Sequence, residues 1–216
     1  MSLPSTVSVT CPKCGQDGQM TVWSSVNISL DPEMKEKILD QSLFRYTCNQ
    51  CQHVSPVFFQ CLYHDMETRT MVWMVEPDAN TDEIQDALPP LPFATNDYRL
   101  RIVHSINELV EMVLLIDSGL NDLAVQAIKL IIMSNEDAPE GPWYFNGIEF
   151  ILVDAIITFS SPDAGVSCQV TLEDSFDALS AKLAPFDRSQ SWIVATPENV
   201  MKMLENSAES NASMPH

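Results

Sequence analysis

Two cysteine pairs of identical internal spacing, Cys11-Pro12-Lys13-Cys14 and Cys48-Asn49-Gln50-Cys51, constrain this chain more than any other feature. Tight turns that each offer two soft thiolates suit a tetrahedral metal site, and four sulfurs leave no place for a fifth group. The arrangement CxxC–x33–CxxC fits zinc in ligand type and local spacing, although the interval exceeds the usual ribbon spacer of about 15–20 residues. A closed structural site for Zn2+ on Cys11, Cys14, Cys48 and Cys51 is the expectation. A redox pair, or two unrelated pairs in a core, are the other readings. A thioredoxin-like motif sits in a βαβ unit, and neither pair has that setting.

The segments around the cysteines read as strands and turns over residues 5–76. Thr6–Thr10 alternates and delivers Cys11, and Gly15 permits a left-handed turn after Cys14. Gln19–Ile28 reads as a strand with Met20, Val22, Ser24 and Val26 on one face. Asp31-Pro32-Glu33 opens a helix, with Asp31 as cap, that runs to Asp40 and fills the long spacer. Leu43–Thr47 is the strand expected to feed Cys48. Val54–Tyr63 and Thr70–Val75 read as a hairpin turning through Asp65–Arg69. Cys61 and Cys168 read as small core residues. Cys61 and His64, three apart on a strand, face opposite sides, which argues against a nucleophile–base dyad. Asp65 most simply starts the turn through its carboxylate. His53 is a weaker candidate ligand than the four thiolates.

Taken together, Cys11-Pro12-Lys13-Cys14-Gly15, Val26-Asn27, Asp31-Pro32-Glu33-Met34-Lys35-Glu36, Leu43-Phe44, the second CxxC and Leu62-Tyr63-His64-Asp65 resemble the CpXC family of prokaryotic proteins. The likeness continues through Arg99–Val103, Asn107–Glu111 and Gly119–Asp122, so it covers most of residues 5–133. The resemblance implies a metal-binding domain whose function is largely uncharacterised. One departure is clear. The second pair is Cys-Asn-Gln-Cys-Gln where the family favours Cys-Pro-x-Cys-Gly, so Asn49 and Gln52 stand without proline and glycine assistance.

Residues 77–97, with Pro77, Pro89, Pro90 and Pro92, read as an acidic linker carrying one helical turn at Thr81–Leu88. An α+β region is expected over 98–206: a strand at Tyr98–Val103, then a helix whose Ser105 and Glu108 form a capping box. A second helix over Asn121–Met133, with Leu123, Ala124, Ala127, Ile128, Ile131 and Ile132 buried, should pack antiparallel to it. Trp143–Phe145 and Ile148–Phe159 read as a hairpin turning at Asn146-Gly147. Val166–Leu172 and Trp192–Ala195 are further strands, and helices are expected over Asp174–Ala184 and from Thr196-Pro197. Residues 207–216 read as a disordered tail. Glu111, Asp117 and Asp122 read as solvated helix-end carboxylates. The fold class is α+β: a zinc-ribbon-like β-rich region with a helical insertion, then a helical hairpin packed with a mainly antiparallel sheet.

Charge narrows function. With 11 Lys+Arg against 30 Asp+Glu, the formal net charge is -19, and such a field repels phosphate backbones. Nucleic acid is therefore not the expected partner; another protein is. The apolar run Ile148–Phe159 contains Glu149 and Asp154 and is too short to span a bilayer. The start lacks a basic and apolar leader, so a cytoplasmic location is expected. No glycine-rich phosphate loop, HExxH or GxSxG motif occurs. The first reading is thus a non-catalytic, zinc-stabilised interaction module. A thiol redox sensor or zinc switch on the same cysteines is the second, and an enzyme with a site near His64 and Asp65 the third. The sequence sets no oligomeric state.

Overall fold

A computed structural model describes residues 2–80, 97–151, 154–172, 174–188 and 191–212. The turn expected at Thr81–Leu88 lies outside the described residues. The chain is α+β and divides into two compact units, Met1–Val110 and Glu111–His216.

The first unit is organised by a mixed sheet. Strand β1 (Leu3–Thr10) pairs antiparallel with β2 (Asp17–Asn27), and the hairpin closes on the first cysteine pair. After helix α1 (Glu33–Leu39) and a 3-10 turn at Ser42–Phe44, the short strands β3 (Arg45–Thr47) and β4 (Val54–Pro56) pair antiparallel around the second cysteine pair. Strands β5 (Cys61–Asp65) and β6 (Thr70–Met74) form the expected hairpin. β5 also runs parallel to β2, with Asn27 opposite His64, and β7 (Arg99–Val103) runs parallel to β6.

Three local expectations for this unit change. Asp31 does not cap α1; its carboxylate instead receives the Ser2 hydroxyl, and no side chain caps the helix. Leu43 and Phe44 lie in the 3-10 turn, not in a strand, and both are buried there. The strand expected over Val54–Tyr63 is broken: β4 ends at Pro56 and β5 begins at Cys61.

Helix α2 (Ile106–Ser118) carries the chain from one unit into the next. Its capping box forms in part: Glu108 N–H donates to Ser105 Oγ at 3.2 Å, while the Glu108 carboxylate accepts from His104 N–H at 2.7 Å. Helix α3 (Asp122–Met133) starts at Asn121, whose Oδ1 accepts from Ala124 N–H at 3.1 Å. Strands β8 (Tyr144–Ile151), β9 (Asp154–Ser161) and β10 (Val166–Leu172) make an antiparallel sheet in the order β10-β9-β8. Helix α4 (Asp174–Asp187), the short β11 (Ile193–Val194) and helix α5 (Pro197–Ala212) complete the second unit. α5 begins where expected, with Thr196 Oγ1 accepting from Asn199 N–H, and it continues past Ser207.

Two cores hold this unit. Leu115, Val125 and Ile128 pack with Trp143, Phe145, Ile157 and Phe159, while Leu123, Ala124, Leu183 and Val200 form the second. Glu111 meets Lys129 and Leu115 clusters with Val125, so the order of contacts reverses along α2 and α3, as in an antiparallel pair. Asn146-Gly147 does not make the hairpin turn. It is absorbed as an irregularity within β8, whose pairing with β9 continues past it to Ile151 opposite Asp154. Two of the three carboxylates expected in solvent are buried: Glu111, 2% exposed, is taken up by Lys129, Gln126 and the Phe145 N–H, and Asp122, at 0%, opens a run of α3 buried from Asp122 to Lys129. The enclosure then ends, and Ile131, expected inside, is 70% exposed.

Candidate metal centre

The two cysteine turns are built alike. In the first, Gly15 N–H donates to Cys11 O and Cys11 N–H to Gln16 O, both at 2.9 Å. In the second, Gln52 N–H donates to Cys48 O and Cys48 N–H to His53 O, again at 2.9 Å. β1–β2 and β3–β4 are the hairpins that present them. Each turn thus places one cysteine at its start and another three residues on, at a residue leading into a left-handed position.

A small core sets the distance between the turns. Met20, Val22 and Tyr46 cluster with Cys11 and Cys48, and all five are buried. Tyr46 lies against Gly18, where a Cβ would fall on the Tyr46 hydroxyl. This close approach is why residue 18 is glycine. Cys14 is exposed and Cys51 half-buried, so two sulfurs anchor the site inward and two close it from outside.

All four Sγ atoms lie within 4.8 Å of one another. Cys11 Sγ is 3.7 Å from Cys51 Sγ, and Cys14 Sγ is 3.7 Å from Cys48 Sγ. A tetrahedron with Zn–S bonds of about 2.3 Å has edges of about 3.8 Å. The cysteines are free thiols, their sulfurs standing at 3.7 Å where a disulfide bond would need about 2.0 Å. Backbone N–H groups of Cys51 and Gln50 favour the Cys48 thiolate, and they outweigh its burial and draw the thiol down to about 6. Cys14 receives the Gln16 N–H, yet its contact with the Cys51 sulfur and its desolvation push it up to about 12. Crowded protons among four sulfurs are what a cation removes, because metal binding requires the thiolates. The donor set and its spacing are therefore compatible with a metal ion.

Other candidate residues separate. Cys61 is fully buried in β5 and burial pushes its thiol up to about 12, the behaviour of a core residue. Cys168 is half-buried beside the second unit's core, and desolvation raises its thiol as well. Asp65 Oδ1 accepts from Glu67 N–H at 2.9 Å and Thr68 N–H at 3.2 Å, which is turn chemistry. His64 and Asp65 are adjacent in β5, so their side chains leave opposite faces. His64 instead sits between Asn27 and Tyr98, at 3.4 Å and 3.3 Å. Asn27 and Tyr98 escaped the sequence reading because a parallel register brings them to His64, and no local pattern encodes it. Tyr46 and Gly18 were missed similarly. The one local signal was Tyr46 at the inward position two residues before Cys48.

Among the described residues no helix is long and apolar enough to cross a membrane. Residues 9–129, more than half of the chain, match the family described as CpXC protein. No curated protein and no solved structure matches the chain.

Proposed function

The chain belongs to the CpXC family, and on that premise we propose that Cys11, Cys14, Cys48 and Cys51 hold one zinc ion in a closed structural site of a non-catalytic protein-interaction module. The observation that carries this reading is the gathering of four Sγ atoms within 4.8 Å, with two edges of 3.7 Å. Four thiolates fill a tetrahedral shell and leave no position for a reacting water. Zinc there supplies cross-linking between the two hairpins. The chain's own residues preset the turns and shield the two inner sulfurs. The test is metal analysis of the purified chain. One zinc per chain is expected, lost in Cys48→Ser and kept in Cys61→Ser; a wild-type chain purified in zinc-supplemented medium without stoichiometric metal overturns the proposal.

One observation favours a second reading, a thiol switch on the same cysteines: Cys14 is exposed at the outer side of the site. Peroxide would oxidise the Cys14 thiolate to a sulfenic acid, and attack by a second thiolate of the site would expel water, form a disulfide and release the ion, a change that thiol reductants reverse. Zinc release by mild peroxide, restored by reductant, supports the switch. Retention of zinc while an added free thiol is consumed removes it.

A further inference from the structure

Strand β10 is an edge of its sheet: among the described residues it pairs with β9 alone. Exposed edges commonly carry a lysine, a proline or a bulge, which discourage another strand from adding. β10 carries none of these. Its seven residues, Val-Ser-Cys-Gln-Val-Thr-Leu, are uncharged, and its register with β9 is unbroken.

A groove runs beside this edge. It encloses about 530 Å³ and is bounded by β10, by the end of α3 at Ile131 and Ile132, and by the segment from Asn135 to Pro139, with Trp143 also in its lining. Its apolar wall reaches the surface, since Ile131 is 70% and Val166 40% exposed. A groove between a helix and an open strand edge is the geometry by which extended peptides are captured. The edge supplies main-chain hydrogen bonds, and the groove takes every second side chain.

Charge selects the occupant. From Leu130 through Leu172 the chain has no Lys, Arg or His, but it has Glu136, Asp137, Glu140, Glu149, Asp154 and Asp163. Asp137 lines the groove itself, and Glu136, Asp137 and Asp163 are exposed. A second copy, at -19, would bring like charge to this face.

We propose that the β10 edge and its groove bind an extended segment of a partner protein that presents alternate apolar side chains flanked by Lys or Arg. The proposal names a partner chemistry for a surface remote in sequence from the cysteines, and it stands or falls separately from the metal. The experiment selects a displayed library of random nine-residue peptides on the full chain and measures the winners by fluorescence anisotropy. Enriched sequences should alternate apolar and polar residues and carry net positive charge. Their affinity should fall at least tenfold in Val166→Lys and in Ile131→Lys, both at exposed side chains, and on N-methylation of alternate peptide amides. Circular dichroism and melting of both variants establish that the fold persists. Failure to enrich any peptide, enrichment of acidic or non-alternating ones, or binding unchanged in both variants overturns the proposal. So does a concentration-dependent dimer in sedimentation that Val166→Lys abolishes, which would assign the edge to a second copy. Zinc content of the same samples reads the metal site independently.

Discussion

Gln52 occupies in the second cysteine turn the left-handed position that Gly15 holds in the first, at φ 57° against 72°. The two turns share their hydrogen bonds, so the difference lies in the residue and not in the geometry. A Cβ in this region costs roughly 1–2 kcal/mol. The Gln52 side chain returns a little by donating from Nε2 to Asn49 O at 3.2 Å, an exposed contact. Gln52→Gly should therefore strengthen the second turn, by up to about 1 kcal/mol after the added chain entropy of glycine. Gly15→Ala should cost about 1–2 kcal/mol. Competition of the zinc-loaded proteins against a graded chelator, read by metal release, should show slower loss in the first variant and faster loss in the second. The same order of loss in reverse would mean the turns are strained elsewhere.

The Gly18–Tyr46 contact predicts a second asymmetry. A methyl at residue 18 lands on the Tyr46 hydroxyl, and Tyr46 is held in the core that carries Cys11 and Cys48. Gly18→Ala should destabilise the first unit by about 1–3 kcal/mol, the usual range for overpacking. Tyr46→Phe removes the clashing oxygen, so the double variant should recover much of the loss. Urea unfolding of the four proteins measures the coupling; strict additivity would show that the ring moves aside freely.

How much of this was legible in sequence follows the range of each interaction. The cysteine turns were readable because their hydrogen bonds close over a few residues, from Cys11 to Gln16 and from Cys48 to His53. The cap at Thr196 and the Ser105–Glu108 contact were readable for the same reason. The parallel pairing of β2 with β5 was not, since its register is fixed across 37 residues between Asn27 and His64. Nor was the burial of Glu111: its partner Lys129 is 18 residues away, and a carboxylate in a helix reads as solvated until that partner is placed. Asn146-Gly147 carried a strong turn signal, but continuous pairing of β8 with β9 on both sides of it overrode local preference.

His64 predicts a pH dependence. Asn27 Oδ1 accepts from Ser29 N–H at 3.1 Å, which turns the Asn27 amide nitrogen toward His64 Nδ1. That nitrogen donates to Nδ1, so the ring proton resides on Nε2 and points to Tyr98 Oη. Burial lowers the His64 pKa below its usual 6.5, with the Asp65 charge opposing. The unfolded ring therefore takes up a proton at higher pH than the folded one. The stability tied to the neutral ring is present above 6.5 and lost as pH falls through the depressed folded value. Denaturant midpoints at a series of pH values between about 7.5 and 5.5 should fall more steeply for the wild type than for His64→Gln, given an ordinary histidine pKa near 6.5. Parallel slopes would place the titration in another group.

The buried pair in the second unit carries the largest single-residue effect. Lys129 Nζ donates to Glu111 Oε2 at 2.6 Å, with side chains 5% and 2% exposed. Gln126 Nε2 and the Phe145 N–H also donate to the Glu111 carboxylate, so this group ties α2, α3 and β8 together. Burial nonetheless raises the Glu111 pKa above the usual carboxylate range, against the Lys129 charge. Lys129→Met removes that charge and leaves the carboxylate unpaired, which should cost roughly 3–5 kcal/mol at neutral pH. The raised carboxyl then climbs further, so the deficit should shrink as pH falls and the group takes up a proton. Adding Glu111→Gln should recover part of the loss, because a neutral amide oxygen still accepts from Phe145 N–H. Urea unfolding at pH 7 and at pH 5 separates these outcomes. A deficit under about 1 kcal/mol at neutral pH would mean that water screens the pair as it screens a surface bridge.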